Sequence, residues 1–119
     1  MKKIYSLKTC STCQCILKTL NLRSDFQIQD IKETPLSVND LEKLKSMTGS
    51  YEALFSKRAK LYKEMGLKNE KLIEKDYKHY ILEHYTFLKR PIIVYEEEIF
   101  IGNSSKNIES AITALSDEK

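Results

Sequence analysis

Hydrophobic and polar residues change their spacing twice within the first thirty positions of the chain. Residues 3–7 form a short, mostly apolar run, which predicts a buried strand. Apolar residues at positions 16, 17 and 20 then follow a helical spacing, and residues 26–31 alternate between apolar and polar. Because the predicted helix connects the two predicted strands, we expect them to lie parallel in a β-α-β unit.

The middle of the chain, from about residue 35 to residue 86, carries apolar residues at helical spacing. One predicted helix begins at Ser37, a good N-terminal cap, and ends at Gly49. Ser56 is the predicted cap of another helix, and residues 74–85 carry the last one of this region. We therefore expect a helical insertion over residues 35–86.

The last third of the chain predicts two strands and a helix. Residues 91–95 form an apolar run opened by proline, residues 96–98 are three glutamates typical of a turn, and residues 99–101 are apolar again. An amphipathic helix follows up to Leu115. The element order is β-α-β, the insertion, then β-β-α. This predicts an α/β protein with a thioredoxin-like core, a mixed four-stranded sheet and a single domain over residues 1–119.

The composition is that of a folded globular chain: 119 residues, 41% hydrophobic and 31% charged. These values exclude a disordered or repetitive polymer. The net charge of +3 comes from interspersed charges, so nothing requires a direct nucleic-acid partner. No apolar run approaches the roughly 18 residues that cross a bilayer, and the start of the chain lacks a secretion signal. We expect a cytoplasmic protein with no membrane partner.

All three cysteines lie between positions 10 and 15, and two of them form the motif Cys10-Ser11-Thr12-Cys13. In a β-α-β context this spacing is typical of a redox pair. Cys10 falls where the loop enters the predicted helix, where free N–H groups and the helix dipole lower a thiol pKa. Cys10 is therefore the predicted nucleophile. Cys13, one helical turn later, is within reach to resolve the adduct by forming a disulfide.

Two other interpretations of the cysteines stay open at this point. A structural zinc site normally takes four protein ligands, whereas the chain has three cysteines, and His79 and His84 lie far along the sequence. The thiols can also be ordinary buried side chains, which is the simplest interpretation of Cys15. Positions two apart on a helix do not face the same way, so Cys15 is not expected to share a site with Cys13.

Two arginines are candidates for binding an anion beside the thiols. Arg90 precedes Pro91, and a proline at this position can simply open a strand. In a thioredoxin-like fold, however, a cis proline opening the third strand abuts the active-site thiol, and Arg90 then points at the same place. Arg58 lies near a predicted helix start and, taken alone, is typical of a solvated charge. Together, two arginines beside a thiolate bind an oxyanion and lower the thiol pKa.

These motifs resemble the ArsC/Spx/YffB family, the glutaredoxin-coupled arsenate reductases and their relatives. The resemblance covers nearly the whole chain and rests on residues 10–13, 30–37, 56–62, 65–67, 83–84 and 88–94. It implies a thioredoxin-like core with a helical insertion and Cys10 as the nucleophile. It also implies that Arg58 and Arg90 bind an oxyanion. Thr9, Ser11, Thr12 and Pro91 are the expected walls of the active-site groove.

The resemblance leads to two functional hypotheses. The first is an arsenate-reductase-like thiol oxidoreductase that reduces an oxyanion or a disulfide. It has no bound cofactor or metal, and glutathione with glutaredoxin, or thioredoxin, supplies its electrons. The second is an Spx-like redox-sensing regulator that binds the RNA polymerase α subunit. Arsenate reductases of the family share a histidine where this chain has Ser6 and an arginine after the last strand, where residues 102–106 contain none. The C-x-x-C is the pattern of the Spx branch.

Overall fold

The computed structural model describes residues 2–20 and 26–116. Four strands and five α-helices occur in this part of the chain, joined by three short 3₁₀ turns at Glu52–Leu54, Leu67–Asn69 and Tyr85–Phe87. In chain order the elements are β1 (Lys2–Ser6), α1 (Ser11–Leu20), β2 (Gln27–Asp30), α2 (Val38–Thr48), α3 (Lys60–Glu64), α4 (Glu74–Glu83), β3 (Ile92–Tyr95), β4 (Glu98–Ile101) and α5 (Ser105–Ser116). None of the helices in these ranges has the length and apolar character that a bilayer span requires.

The chain divides into two compact units. The first unit comprises residues 1–34 and 90–119, and the second comprises residues 35–89. The sheet belongs to the first unit and has the strand order β2-β1-β3-β4. β1 pairs with β2 in parallel and with β3 in antiparallel, and β3 and β4 form an antiparallel hairpin. The predicted mixed four-stranded sheet and its parallel β-α-β unit are confirmed.

Helices α1 and α5 contribute to one hydrophobic core in the first unit. Ile4 of β1 and Ile93 of β3 are paired across the sheet and fully buried. They pack with Ile16 and Leu20 of α1 and with Ala111 of α5. This packing explains the helical spacing seen in the sequence, because Ile16 and Leu20 are four residues apart on one face of α1.

The edge of the sheet departs from the predicted pattern. Ile28 of β2 pairs with Ile4 and lies on the same side of the sheet, yet 56% of its surface is exposed. β2 is the outermost strand next to β1, and its alternation of apolar and polar residues resembled that of a half-buried strand. Ile28, at the edge of the sheet, is therefore more exposed than its central partner Ile4.

The β3–β4 hairpin has a tighter turn than the three glutamates predicted. Tyr95 pairs with Glu98, so Glu98 opens β4 and only Glu96 and Glu97 form the turn. Glu96 takes a left-handed backbone conformation with φ +55°, as tight two-residue hairpin turns demand. Gly102 follows β4 with φ +91°, and its N–H donates to the Pro91 carbonyl at 2.9 Å.

The second unit confirms the predicted ends of α2. The Ser37 hydroxyl accepts a hydrogen bond from the Asp40 N–H at 3.0 Å, which satisfies a free donor of the first turn. Gly49 ends the helix in the left-handed region with φ +90°, and its N–H donates to the Lys45 carbonyl. A residue with a Cβ is strained in this conformation, whereas glycine is not.

The predicted cap at Ser56 is wrong. Helix α3 begins at Lys60, and Ala59 stands at its N-terminal boundary. Ser56 instead donates its backbone N–H to the Phe87 carbonyl at 2.7 Å, next to a β-bridge between Phe55 and Leu88. This pairing between distant segments engages the Ser56 backbone outside a helix, and α3 starts later, at Lys60. It joins residues far apart in sequence, and no local pattern contains it.

The end of α4 also differs from the predicted boundary near Tyr85. The helix stops at Glu83, and His84 is extended. His84 Nδ1 accepts a hydrogen bond from the Thr86 N–H at 3.2 Å and so caps the following 3₁₀ turn. A side chain that caps a new turn competes with continuation of the helix.

We expect Ile93→Ala to destabilise the protein by about 2–5 kcal/mol, because a fully buried core side chain is truncated and a cavity remains. Urea unfolding followed by circular dichroism measures the change. Ile28→Ala is the matched control: it removes the same atoms from the same sheet, but from an exposed position, and should cost about 0.5 kcal/mol or less. Equal losses from the two variants would contradict the core described above.

Candidate active site

Cys10 stands at the N-terminal cap of α1, at the end of a tight loop after β1. Its N–H donates to the Leu7 carbonyl at 3.1 Å, which closes the turn through Lys8 and Thr9. Its carbonyl accepts the first helical hydrogen bond, from the Gln14 N–H at 3.1 Å. The Gln14 side chain also donates to the Leu7 carbonyl at 3.4 Å. The local chain therefore fixes the Cys10 backbone on both sides.

The pKa of the Cys10 thiol lies below its ordinary value, through a balance of opposing effects. Burial is the largest single influence and raises the pKa. Hydrogen bonds from the Cys13 backbone N–H, the Cys13 thiol and the Thr12 N–H, together with the positive charge of Arg90, lower it by more. A side chain at the N-terminal cap normally accepts from the second and third residues of the helix, and the Cys10 sulfur takes that place.

The pKa of the neighbouring Cys13 thiol is shifted in the opposite direction. It is 1% exposed, in the first turn of α1. Burial raises the pKa of its thiol to about 11, and the hydrogen bond and negative charge of the Cys10 sulfur add to the rise. The Leu7 N–H and the Ser6 hydroxyl oppose the rise. Between the two pKa values the pair carries one negative charge, located on Cys10, with the Cys13 S–H donating to it.

Arg90 lies beside this pair in the first unit, and its charge acts on the Cys10 sulfur. The peptide bond between Arg90 and Pro91 is cis, which is the isomer expected of a thioredoxin-like fold. Pro91 is buried, and the residue after it opens β3. An arginine presents five N–H donors with a permanent charge, a set that suits both a thiolate and an oxyanion.

Arg58 belongs to the second unit, in an exposed turn before α3. The residues around it are held by a small polar network. Glu52 Oε2 accepts a hydrogen bond from Lys57 Nζ at 3.0 Å and another from the Tyr77 hydroxyl at 3.2 Å. These hydrogen bonds and the Lys57 charge lower the pKa of Glu52. The oxyanion-binding role of Arg58 stays a prediction from the resemblance.

The other residues named from the sequence have simpler surroundings. Thr9, Ser11 and Thr12 are exposed around the Cys10 loop. Cys15 is also exposed, so it is accessible, in contrast to the half-buried Cys10 and the buried Cys13. Within residues 2–20 and 26–116, no group of three or more histidine, cysteine or acidic side chains is arranged to hold a metal ion. His79 instead contacts Glu83, with 3.0 Å between Nε2 and Oε2.

Ser6 is a residue whose contact with the thiols sequence reasoning missed. In the sequence it is only a difference from the arsenate reductases, yet it is 2% exposed and its hydroxyl acts on the Cys13 thiol. The signal was present in the strand pattern. Ser6 is two residues after Ile4 and therefore shares its face of β1, the face that packs against α1.

A mixed four-stranded sheet and a C-x-x-C at the start of the first helix define a thioredoxin-like thiol protein, and the predicted fold class is confirmed. An arsenate reductase structure from Vibrio cholerae has this fold. It superposes with a TM-score of 0.75 at 24% identity, over 94% of this chain and 95% of that one. Residues 5–111 match the ArsC family. The chain therefore belongs to the ArsC family.

Named relatives fall into two groups. The chain is 26% identical to the global transcriptional regulator Spx of Bacillus subtilis, over 91% of this chain and 84% of that protein. It is 28% identical to an arsenate reductase of Neisseria meningitidis, over 92% of this chain and 97% of that protein. One of these relatives is named as a transcriptional regulator and the other as an enzyme.

Arg90→Ala should raise the pKa of Cys10, because a permanent positive charge near the thiolate is lost. The measurement is the alkylation rate of Cys10 against pH in a Cys13→Ser, Cys15→Ser background. Lys8→Ala is the control: Lys8 is an exposed cation near the loop whose charge is engaged by Glu33 at 3.4 Å, and its removal should leave the curve in place. Coincident curves for Arg90→Ala and its parent would exclude this electrostatic role.

The stability of the reduced protein should pass through a maximum near the pKa of an unfolded thiol, about 8.5. Below it, folding lowers the pKa of Cys10, so the unfolded state binds more protons and stability rises with pH. Above it, the folded state keeps the Cys13 proton up to a pKa of about 11, so stability falls as pH increases.

Urea unfolding between about pH 6 and pH 11, under reductant, measures this profile across the two thiol pKa values. Comparison with the Cys13→Ser variant isolates the contribution of Cys13 to the decline in stability at high pH, because the other groups that titrate in this range are present in both proteins. The difference in unfolding free energy between parent and variant should decline above about pH 8.5. A difference independent of pH in that range would refute the buried, protonated state of Cys13.

Proposed function

We propose that this chain is a thiol oxidoreductase of the arsenate-reductase-like type. In this proposal Cys10 is the nucleophile, Cys13 resolves its adduct, and Arg90 and Arg58 bind the anionic substrate. The observation that carries the proposal is the contrast between two thiols within one helical turn. Cys10 is half-buried at the helix cap with a lowered pKa, whereas Cys13 is buried with a raised one. One thiol is prepared to attack, and the other stays protonated until the adduct has formed.

The first step is attack by the Cys10 thiolate. On a disulfide RSSR, a Cys10–SR bond forms, the S–S bond breaks, and RS⁻ leaves and takes up a proton. On an oxyanion such as arsenate, an As–S bond forms and one oxygen leaves as water after two protonations. The guanidinium of Arg90 compensates negative charge in both cases, since it stands beside the attacking sulfur.

The second step is attack by Cys13 on the Cys10 sulfur, after Cys13 has lost its proton to solvent. The Cys10–Cys13 bond forms, and the bond from Cys10 to the bound group breaks. From a mixed disulfide the remaining RS⁻ leaves. From the arsenic adduct the electron pair stays on arsenic, so As(V) leaves as As(III). The two thiols lose two electrons, which the substrate gains.

Renewed activity then needs an external thiol that reduces the Cys10–Cys13 disulfide. Glutathione with glutaredoxin, or thioredoxin, fits this role by chemical class, because each delivers two electrons by thiol exchange. Such donors are found in reducing compartments, which supports a cytoplasmic location. No bound cofactor or metal enters either step.

A second candidate function is a redox-sensing regulator that binds the RNA polymerase α subunit. The specific observation in its favour is the match to global transcriptional regulators named Spx over 91% of this chain. In this role the same cysteine pair acts as a switch: its oxidation changes affinity for the partner instead of completing a turnover. Both candidate functions use the same oxidation of Cys10 and Cys13 to a disulfide. They differ in the molecule that the protein acts on or binds.

Reduction of arsenate and of low-molecular-weight disulfides, with glutathione–glutaredoxin and with thioredoxin in separate assays, tests the enzyme. Cys10→Ser should lower activity by about 1,000-fold or more, because the nucleophile is lost. Cys13→Ser should stop turnover after a single adduct. Cys15→Ser is the matched control on the same helix and should retain activity, while Arg58→Ala tests whether that residue contributes to substrate binding.

Two results would count against the proposal. Peptide mapping after mild oxidation should give a Cys10–Cys13 bridge with Cys15 free, and a dominant bridge to Cys15 would contradict the assignment. Absence of turnover with every substrate and donor, together with redox-dependent capture of the polymerase α C-terminal domain, would favour the regulator.

A further inference from the structure

The end of β1 places a buried hydroxyl group against the Cys13 thiol. Ile4 of β1 packs against Ile16 of α1, and Ser6 is two residues beyond Ile4 on the same strand face. Cys13 lies one helical turn before Ile16, at the corresponding place on α1. The strand and the helix therefore bring Ser6 and Cys13 together at the N-terminal end of α1.

The buried Ser6 hydroxyl lacks a hydrogen-bond partner within the described residues. Ser6 is 2% exposed, and its Oγ makes no hydrogen bond of good geometry with any residue in the described part of the chain. A buried hydroxyl without a partner costs free energy, and a redox or catalytic role is one of the explanations for such a group in a native protein. The sulfur of a protonated thiol is a weak acceptor, whereas a thiolate is a strong one.

A backbone donor reaches the same sulfur. The Leu7 N–H directs a hydrogen bond to Cys13, and Leu7 follows Ser6 in the chain. Leu7 is itself held in place, because its carbonyl accepts from the Cys10 N–H and from the Gln14 side chain. Two adjacent residues thus place one N–H and one hydroxyl group beside Cys13.

We propose that the Ser6 hydroxyl, together with the Leu7 N–H, forms a hydrogen-bond site for the Cys13 thiolate, and that Ser6 is a positioning residue for the resolving step. The inference rests on the proposed function, in which Cys13 resolves the Cys10 adduct. In the reduced resting state the Cys13 S–H donates to Cys10, and the hydroxyl lacks a good acceptor. Once Cys10 is bound in an adduct, its negative charge is gone, and the hydroxyl donates to Cys13 as that thiol ionises.

Cys13 loses its proton to solvent, and its thiolate attacks the Cys10 sulfur of a Cys10–SR adduct. The Cys10–Cys13 bond forms as the Cys10–SR bond breaks, and RS⁻ leaves with the electron pair. Ser6 neither gains nor loses a proton overall, because its hydroxyl only hydrogen-bonds the ionised sulfur.

The first test measures the Cys13 pKa without any turnover. In a Cys10→Ser, Cys15→Ser background, the NMR shift of ¹³Cβ-labelled Cys13 is followed against pH, with and without Ser6→Ala. Loss of the hydroxyl should move the Cys13 inflection to higher pH, and Ser6→Thr, which keeps the hydroxyl, should restore it. Coincident titrations of the background protein and its Ser6→Ala variant would overturn the proposal.

The second test separates the two chemical steps in a Cys15→Ser background. Excess aromatic disulfide that releases a coloured thiolate gives one equivalent when Cys10 attacks and a second when Cys13 resolves. Ser6→Ala should slow the second phase by roughly 4- to 15-fold, because the higher Cys13 pKa lowers the thiolate fraction while the remaining thiolate is a better nucleophile. The first phase should keep its rate. Ser110→Ala, an exposed serine of α5 whose hydroxyl donates to the Lys106 carbonyl at 3.0 Å, should change neither phase.

The outcomes distinguish this inference from the proposed function. A parent protein without a second phase refutes Cys13 as the resolving thiol, and the titration then decides the contact with Ser6 alone. A normal parent whose second phase is unaffected by Ser6→Ala overturns the inference and leaves the proposed function intact. Thermal unfolding of the reduced protein adds a check: Ser6→Ala should not lower the melting temperature, since it removes a buried hydroxyl without a good acceptor. A lowered melting temperature, with both phases slowed equally, would indicate a merely structural role and count against the proposal.

Discussion

The N-terminus of α1 needs an acceptor for its free N–H groups, and the Cys10 sulfur meets that need. The first turn of any helix leaves backbone donors without intrahelical partners. Here the donors of Thr12 and Cys13 act on the Cys10 sulfur, which serves them far better as a thiolate than as a thiol. Capping the helix and activating the nucleophile are therefore one interaction. The tight loop from Leu7 and the charge of Arg90 are arranged around it.

Local sequence signals predicted the elements that depend on local physics. The Ser37 cap and the Gly49 terminus of α2 were correct because each satisfies backbone groups within its own turn. Ser56 has the same local preference, yet its N–H pairs with Phe87, far along the sequence. Propensity states what a residue can do locally, and a distant partner decides whether it does so. That is why the start of α3 could not be predicted.

The candidate site likewise has features that the sequence predicts and features that depend on tertiary packing. Cys10 and Cys13 could be identified because their spacing and their place after a strand are both written in the sequence. The different environments of the two thiols could not, because the burial of Cys13 and its contact with Ser6 depend on how α1 packs on β1. The strand alternation places Ser6 on the same face of β1 as Ile4, but no local pattern indicates which side chain of α1 it meets. The packing of α1 on β1 therefore gives Ser6, which in the sequence is only a difference from the arsenate reductases, a contact with a thiol.

The exposed edge of the sheet has a consequence for the behaviour of the protein at high concentration. An unpaired outer strand that displays an apolar side chain is a template on which a second chain can add, as in aggregation. β2 displays Ile28 in this way, but it is only four residues long, and Gln27 and Gln29 flank the isoleucine. So short a strand with polar neighbours offers little continuous apolar surface to an incoming strand. The edge can thus carry an isoleucine without making the sheet a nucleus for fibres.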